Sequence, residues 1–563
     1  MEADMIMSWV LGAAAFACGG TFCDAPPDPT APSTMRVDQT EERILFSVED
    51  NGEVEVHVQV SYRGAASNFA WLVPVPGVPE LETTSTALFD ALEGPTRPSW
   101  NLTQRRDGVC KPPRQTRSKG DDTDTDVVDD DMDVVFDESS EPTVDVVSSD
   151  SVGPYDTVVL QATSAEDLIA WLQDNDFAVP NDATERMRPY VDAGAYIVAL
   201  RLSNGSDAGD IVPLSFRYAS DSPQIPIQLT GVAADPDMRL HVWVLGAHRA
   251  VPESYLHVQV NPFAVNWWTN GADYDGVISR AADEAGGQGF ATDAAMSTSV
   301  LDGSIARSMD LRPLQQGEVS ADLVLTRAAD LGMPVDVDTA TVIRRHVAFP
   351  QGAADAGFDD LGWYSCLSQI QCASGWTDLI DALPLVDTEA FADDLQTDWL
   401  DVLQRNQDLV DRHAVVTRLR SSMGPDEMTV DPSFVLNPDM PMVAPDRHAT
   451  LVTDCGNRRY RRAEAPRWLE LEDGRRARLS PGEWGEGSVF VRDAVGAWAA
   501  EIIEQTGRTG APTLISSNTD AIATALADLE AGQGCACDSR STPRLAWLSL
   551  LFLPLLRRRE VRA

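Results

Sequence analysis

Between residues 53 and 62 the chain alternates without a break. Val54, Val56, Val58, Val60 and Tyr62 interleave with Glu53, Glu55, His57, Gln59 and Ser61. Period two predicts a β-strand with one buried and one wet face, and it puts His57 on the wet face as a surface residue. Residues 43–48, from Arg43 to Val48, read as its partner strand, with Asp50-Asn51-Gly52 as the turn. Residues 69–73 form a third apolar strand, which Pro74 and Pro76 are expected to end because neither donates to a ladder. A short helix is expected over 84–92.

Further along, residues 157–160 read as a strand. Ser164-Ala165-Glu166-Asp167 is a helix cap, and Leu168, Ile169, Trp171 and Leu172 supply the apolar stripe behind it. Residues 196–202 alternate again, and 225–229 and 240–245 are short apolar runs read as strands. Residues 277–285 read as a helix that ends in the turn Gly286-Gly287-Gln288-Gly289. A dinucleotide loop would need a strand before those glycines. Residues 323–331 and 341–349 are ordinary element-like stretches. Residues 361–420 read as mainly helical, at 379–383, 399–409 and 414–419. Strand is expected again near Val443, 449–452 and 468–471, and helix at 493–504 and 520–529. The sum is a multidomain α+β chain, with an antiparallel β-rich N-terminal unit flanked by helices and a more helical C-terminal part. Its expected parts are a signal segment 1–17, a β-rich unit 18–112, an acidic linker or insertion 113–151, an α+β unit 152–350, a mixed helix-rich unit 351–530 and a tail 531–563.

Charge narrows the classes. The formal net charge is -45, Lys111 and Lys119 are the only lysines, and no concentrated basic face appears outside the tail. Such a surface repels nucleic acid backbones. Residues 121–150 hold thirteen acidic side chains and no basic one, which argues for a disordered, self-repelling segment. Its run from Asp121 to Asp126 is similar to calcium-binding aspartate runs but lacks the glycine and distal glutamate of an EF-hand loop. A solvated linker is the default there, and calcium-dependent surface organisation is an alternative.

The termini read as addresses. Residues 545–556 are apolar apart from Ser549, are interrupted by Pro554, and are followed by Arg557, Arg558 and Arg559. Such a run is too short to span about 30 Å of hydrocarbon as an ordinary helix, so a sorting signal with cytoplasmic arginines is expected; a buried terminal helix competes with it. Residues 5–17 resemble an export signal, with Ala15-Phe16-Ala17 directly before Cys18. Glu2 and Asp4 depart from the usual basic start. Lipidation of Cys18 is an alternative.

Of eight cysteines, Cys18 and Cys23 are close, Cys366 and Cys372 are close, and Cys110 and Cys455 are isolated. In an exported chain the close pairs read as disulfides, and Cys110–Cys455 as a long-range staple. Cys535 and Cys537 mark C-terminal processing or anchoring. The spacings do not suit zinc.

No GxSxG, HExxH or Walker motif occurs. The seven histidines are His57, His241, His248, His257, His346, His413 and His448, none two or four residues from another. The best conceivable nucleophile is Cys455 with His448 or His413, against a structural or disulfide cysteine. Trp267-Trp268, after Asn261-Pro262-Phe263, offers a contact patch for a partner or glycan, against a core or loop-anchor role. No catalytic residue, metal or cofactor is assigned.

Three segments carry a resemblance. They are the run from Ala17 to Cys23, the run from Asp38 to Ile44, and Phe69-Ala70-Trp71-Leu72-Val73-Pro74-Val75-Pro76. Together they resemble the bacterial DUF2330 family, of unknown function. The likeness extends through Val152-Gly153-Pro154-Tyr155 and the run from Ala282 to Gly287, and reaches Leu419-Arg420 and the run from Met428 to Pro432 in longer, myxobacterial-type members. The tail resembles the MYXO-CTERM sorting signal of cysteine, apolar run and arginines. That resemblance implies export, processing near the cysteine and retention at the cell surface. Neither resemblance supplies a reaction. The expectation is an exported protein of the cell surface or outer membrane, periplasmic before processing, that binds or scaffolds. Its partners would be the export and sorting machinery and an envelope protein or glycan. A secreted hydrolase with a dispersed site is the opposing reading.

Overall fold

The computed structural model describes residues 38–110, 144–479 and 499–532, apart from 50–51, 64–69, 176, 178, 181, 203–210, 221, 457–458 and 461–464, together with 15–16, 20–22 and Ala497. Several expectations lie outside the described residues. These are the signal segment other than Ala15–Phe16, Cys18, Cys23, the aspartate run from Asp121 to Asp126, Cys535, Cys537, the apolar run 545–556 and Arg557, Arg558 and Arg559.

The architecture is α+β, and its frame is a ten-stranded mixed sheet. In spatial order the strands are Thr513–Ser517, Ala500–Gln505, Leu256–Val260, Gly289–Ser297, Val415–Met423, Ala234–Gly246, Asp38–Val48, Glu53–Arg63, Leu214–Ala219 and Glu80–Thr83. One sheet therefore draws on stretches far apart in the chain. The alternating segment forms its hairpin as expected, with Phe46 opposite Val56 and Ser47 opposite Glu55. Gly52 closes the turn at φ +81, a left-handed conformation that glycine adopts without steric cost.

One face of this sheet packs on a five-stranded sheet of Gly20–Phe22, Ala70–Val75, Tyr196–Leu202, Tyr155–Ala162 and Val144–Val152. Ile44, Phe46, Val56, Phe216, Val242 and Leu419 meet Trp71, Val73, Val198 and Leu200 there. Helices Ala165–Asp174 and Ala183–Asp192 cover the outer face of the small sheet through Leu168, Leu172, Met187 and Tyr190. The opposite face of the large sheet carries Leu45, Trp243, Leu245 and Val416. Helices Thr86–Thr96 and Asp401–Asp411 bury Leu88, Phe89, Leu92, Leu403 and Val410 in the same core. A third core joins helix Tyr274–Glu284 to a four-stranded sheet of Ser99–Asp107, Asp446–Asp454, Arg467–Leu471 and Arg476–Leu479.

The structure corrects several expected elements. Residues 414–419 were expected in a helix, yet Val415–Met423 is a strand buried at every position. With both faces covered it shows neither a helical nor an alternating pattern. The run 225–229 holds the short helix Ile227–Thr230 instead of a strand. Ala500–Gln505, expected as the end of a helix, is a strand. Pro74 lies inside Ala70–Val75, opposite Ile197. It sits beyond Leu72, the last residue paired with Gly20–Phe22, so among the described residues the strand is an edge there, where proline is tolerated. The expected linker is shorter than 113–151, because Val144–Val152 pairs with Tyr155–Ala162. The glycines after 277–285 do end a helix: Gly286 and Gly287 follow Tyr274–Glu284 with φ +76 and +78.

The central strand carries two buried cations. Arg418 and Arg420 are 0 % and 6 % exposed. The Arg418 guanidinium lies 2.9 Å from Glu93 and 3.3 Å from Asp293, and donates to His241 Nδ1 at 3.2 Å. Arg420 pairs with Asp275 and lies 3.7 Å from Asp293, whose Oδ1 accepts the Tyr274 hydroxyl at 2.8 Å. Removing one partner of such a cluster leaves an uncompensated buried charge. Arg418→Ala should therefore lower unfolding stability by about 3–5 kcal/mol. The same truncation of Arg312, whose side chain is largely exposed, should change it by less than about 0.5 kcal/mol. Equilibrium denaturation of the two variants checks the contrast.

Candidate functional site

At one edge of the large sheet the helix-covered face turns polar. Register aligns His57 with Ser215 and Glu82 across three strands, and Glu55 with Arg217 and Glu80 in the next row. Helix Asp401–Asp411 passes over these rows and lays Val402, Arg405, Asn406 and Asp408 against them, with Arg412 at its C-terminal cap. Between floor and roof is a cleft of about 120 Å³, closed at one side by Thr83 and Thr84.

A line of hydrogen bonds crosses the cleft. His57 Nε2 is 3.1 Å from Glu55 Oε1, and His57 Nδ1 is 3.0 Å from Thr84 Oγ1. Thr84 Oγ1 donates to Asn406 Oδ1 at 3.1 Å. A hydroxyl has one proton. Glu55, His57, Thr84 and Asn406 thus form one continuous line in which the Thr84 proton goes to Asn406. Asn406 is 3 % exposed, and its Nδ2 has no hydrogen-bond partner among the described residues. Burial raises the Glu55 carboxyl, but hydrogen bonds and charge from His57 and Arg217 outweigh it and hold the group down at about 2. The hydrogen bond and charge of Glu55 raise Arg217 in turn. Glu55 and Arg217 form an ion pair beside the buried Asn406 amide, with Arg217, Arg405 and Arg412 half-exposed at the rim.

His57 is therefore not a surface residue. It is 2 % exposed, because a helix distant in sequence covers the face that alternation marked as wet. The other singled-out residues go elsewhere. Cys366–Cys372 and Cys110–Cys455 are bonded, with Cα atoms 5.2 Å and 4.7 Å apart. Two disulfides point to an extracellular or otherwise oxidising compartment. Cys455 has no free thiol, which overturns its reading as a nucleophile. His448 is exposed on its strand, and His413 bonds Ser47 Oγ at 2.7 Å. His257 meets Glu504 and His346 meets Asp394, while His248 is exposed. Trp267 is buried, edge-to-face with Trp100 at 4.9 Å, and Trp268 packs half-buried beside the same core. Among the described residues, no group of three or more His, Cys, Asp or Glu side chains is placed to hold a metal ion. Among them, too, no helix is long and apolar enough to cross a membrane.

Sequence reasoning missed Thr84, Arg217, Arg405, Asn406 and Arg412. The one local signal was the spacing of Glu55 and His57, two residues apart and so on one face of their strand.

A family model described as an uncharacterized protein conserved in bacteria, DUF2330, matches residues 12–306. The chain belongs to this family. No curated protein and no solved structure matches it. The floor of the cleft lies within the matched residues and its roof outside them.

Holding Glu55 at about 2 instead of the ordinary 4.5 means that its ionised form favours the folded state. That stability is complete above pH 4.5 and is lost as pH falls toward 2. Glu55→Gln should lower the melting temperature at neutral pH, and the gap from wild type should close over that acid window. Thermal unfolding followed across the window checks both the direction and the range.

Proposed function

We propose that this member of the DUF2330 family is an exported cell-envelope protein, retained at the cell surface or outer membrane, that acts by binding or scaffolding. The observation that carries the reading is the disulfide between Cys110 and Cys455, residues 345 apart in sequence. Cytosolic glutathione and thioredoxin keep thiols of this kind reduced, whereas secreted chains retain the bond. The two ends of the sequence add to it. Residues 5–17 have the character of an export signal. Cys535, Cys537, the apolar run and the three arginines that follow it have the character of a MYXO-CTERM-like sorting signal, which would hand the chain to the sorting machinery from the periplasm. An envelope protein or glycan is then the partner class.

A second reading, a secreted hydrolase, has one observation in its favour. Glu55, His57 and Thr84 line up as carboxylate, imidazole and hydroxyl at 3.1 Å and 3.0 Å, the order used to activate an oxygen nucleophile. Against it, Thr84 is 6 % exposed and spends its proton on Asn406. Binding is therefore the reading we prefer.

Intact mass of the protein from fractionated native cells, with and without reductant, tests the proposal. The expected result is an envelope fraction in which both termini are trimmed, a mass increase on reduction for each disulfide, and a cysteine-linked adduct. An untrimmed, fully reduced chain in the cytosolic fraction would overturn it. Covalent labelling of Thr84 by a fluorophosphonate would transfer the argument to the hydrolase.

A further inference from the structure

We propose that the cleft under helix Asp401–Asp411 is a binding site for a small oxyanion, a carboxylate or an inorganic phosphate group, held by Asn406 Nδ2 and the guanidinium groups of Arg405, Arg412 and Arg217. Folded proteins rarely leave a buried amide donor unmet, because its lost hydration is then not replaced. Asn406 is such a donor, and it lines a cavity.

The neighbouring groups decide what kind of ligand atom the cleft suits. Glu55 already accepts from His57 and Arg217 and lies 3.8 Å from Arg412. The Ser215 hydroxyl points to the Glu82 carbonyl. Asp408 accepts from Gln404. The acceptors of the cleft are thus largely engaged. Each guanidinium, by contrast, has five N–H donors. Among the described residues Arg405 has one acidic contact, Glu82 at 3.5 Å, and Arg412 meets Glu49 at 3.2 Å. Arg217 reaches Glu55 and, at 3.5 Å, Glu80. The lining is rich in donors and poor in free acceptors, so the complementary group brings acceptors. Bidentate guanidinium geometry suits carboxylate and phosphate oxygens in particular.

Size and field narrow the choice. The cleft of about 120 Å³ is below the roughly 300–1,000 Å³ of sites that enclose a drug-sized ligand. It admits a group of a few heavy atoms, or the acidic end of something longer. A chain of net charge -45 repels anions over most of its surface. A cleft rimmed by three arginines is where an anion can approach. Glu49, Glu55, Glu80 and Glu82 share those arginines and Asp408 lines the cleft beside them, so recognition rests on directed hydrogen bonds and not on net charge.

Calorimetric titration of the full chain with sodium phosphate and, separately, with sodium acetate tests the site, with sodium chloride at equal ionic strength as blank. The expected result is saturable binding of at least one anion. That binding should weaken roughly tenfold or more in Arg405→Gln and Asn406→Asp, the loss of about one charge-assisted hydrogen bond. Arg312→Gln, at an exposed residue outside the cleft lining, should bind as wild type does. Arg405 is half-exposed, so its variant keeps the test valid if Asn406→Asp does not fold. The arm that binds identifies carboxylate or phosphate chemistry. No saturable heat with either anion, or equal binding in all variants, would overturn the site. These titrations use purified protein and do not depend on where the chain resides, so they fail or succeed separately from the export reading.

Discussion

Two arginines in the middle of a sheet set the terms for the rest of this fold. Arg418 has no exposed surface, and its strand is buried along both faces. A charge at that depth is stable only when paired and hydrogen-bonded. Its partners come from three directions. Asp293 stands on the adjacent strand, Glu93 on helix Thr86–Thr96, and Asp275, which pairs with Arg420, on helix Tyr274–Glu284. A shift of one residue along Val415–Met423 would turn both arginines toward Phe46 and Leu240 on the opposite face. The ionic cluster thus fixes strand register and docks two helices in one step. It also explains why His241, between Arg418 and Arg420, is pushed toward its neutral form: burial dominates, and both guanidinium charges add to it while Glu93 opposes.

The same strand links that cluster to the cleft. Three residues separate the end of helix Asp401–Asp411 from Val415, so whatever anchors Arg418 also anchors the helix that carries Arg405 and Asn406. The family match ends at residue 306. Yet Val415–Met423 lies between Gly289–Ser297 and Ala234–Gly246, both inside the matched segment. The matched residues supply the floor of the cleft and the acids of the cluster. The later chain supplies the arginines and the roof. Neither part builds the cleft or the cluster alone.

How legible this was in sequence follows from burial. Segments that keep a clear period announced themselves. The hairpin at 43–62, the strand Tyr196–Leu202 and the helix capped by Ser164 match their patterns closely. Val415–Met423 did not, because a strand covered on both sides loses its alternation and its two arginines look like surface residues. His57 was misjudged for the converse reason. Its strand alternates properly, but the polar face is roofed by a helix more than three hundred residues away. The cleft itself joins side chains separated by 27 and 322 positions, and no local period encodes such a meeting. Glu55 and His57, like Ser215 and Arg217 on the neighbouring strand, are near in sequence, but no pattern ties the one pair to the other.

The long-range disulfide belongs to the same problem. Ser99–Asp107 and Asp446–Asp454 run parallel and side by side, although hundreds of residues intervene. Closing a loop of that length is entropically expensive, and a highly acidic chain adds self-repulsion. Cys110 and Cys455 lie just beyond the end of this pair, where the Cys455 N–H also bonds the Asp107 carbonyl at 2.8 Å. In the chain-entropy model a cross-link over so long a loop contributes roughly 5 kcal/mol. A covalent bond is also indifferent to salt and pH, unlike the ion pairs on which the central strand relies. For an acidic protein in an environment it does not control, the two kinds of tie are complementary. The ionic cluster selects the register, and the disulfide limits how far the chain can depart from it.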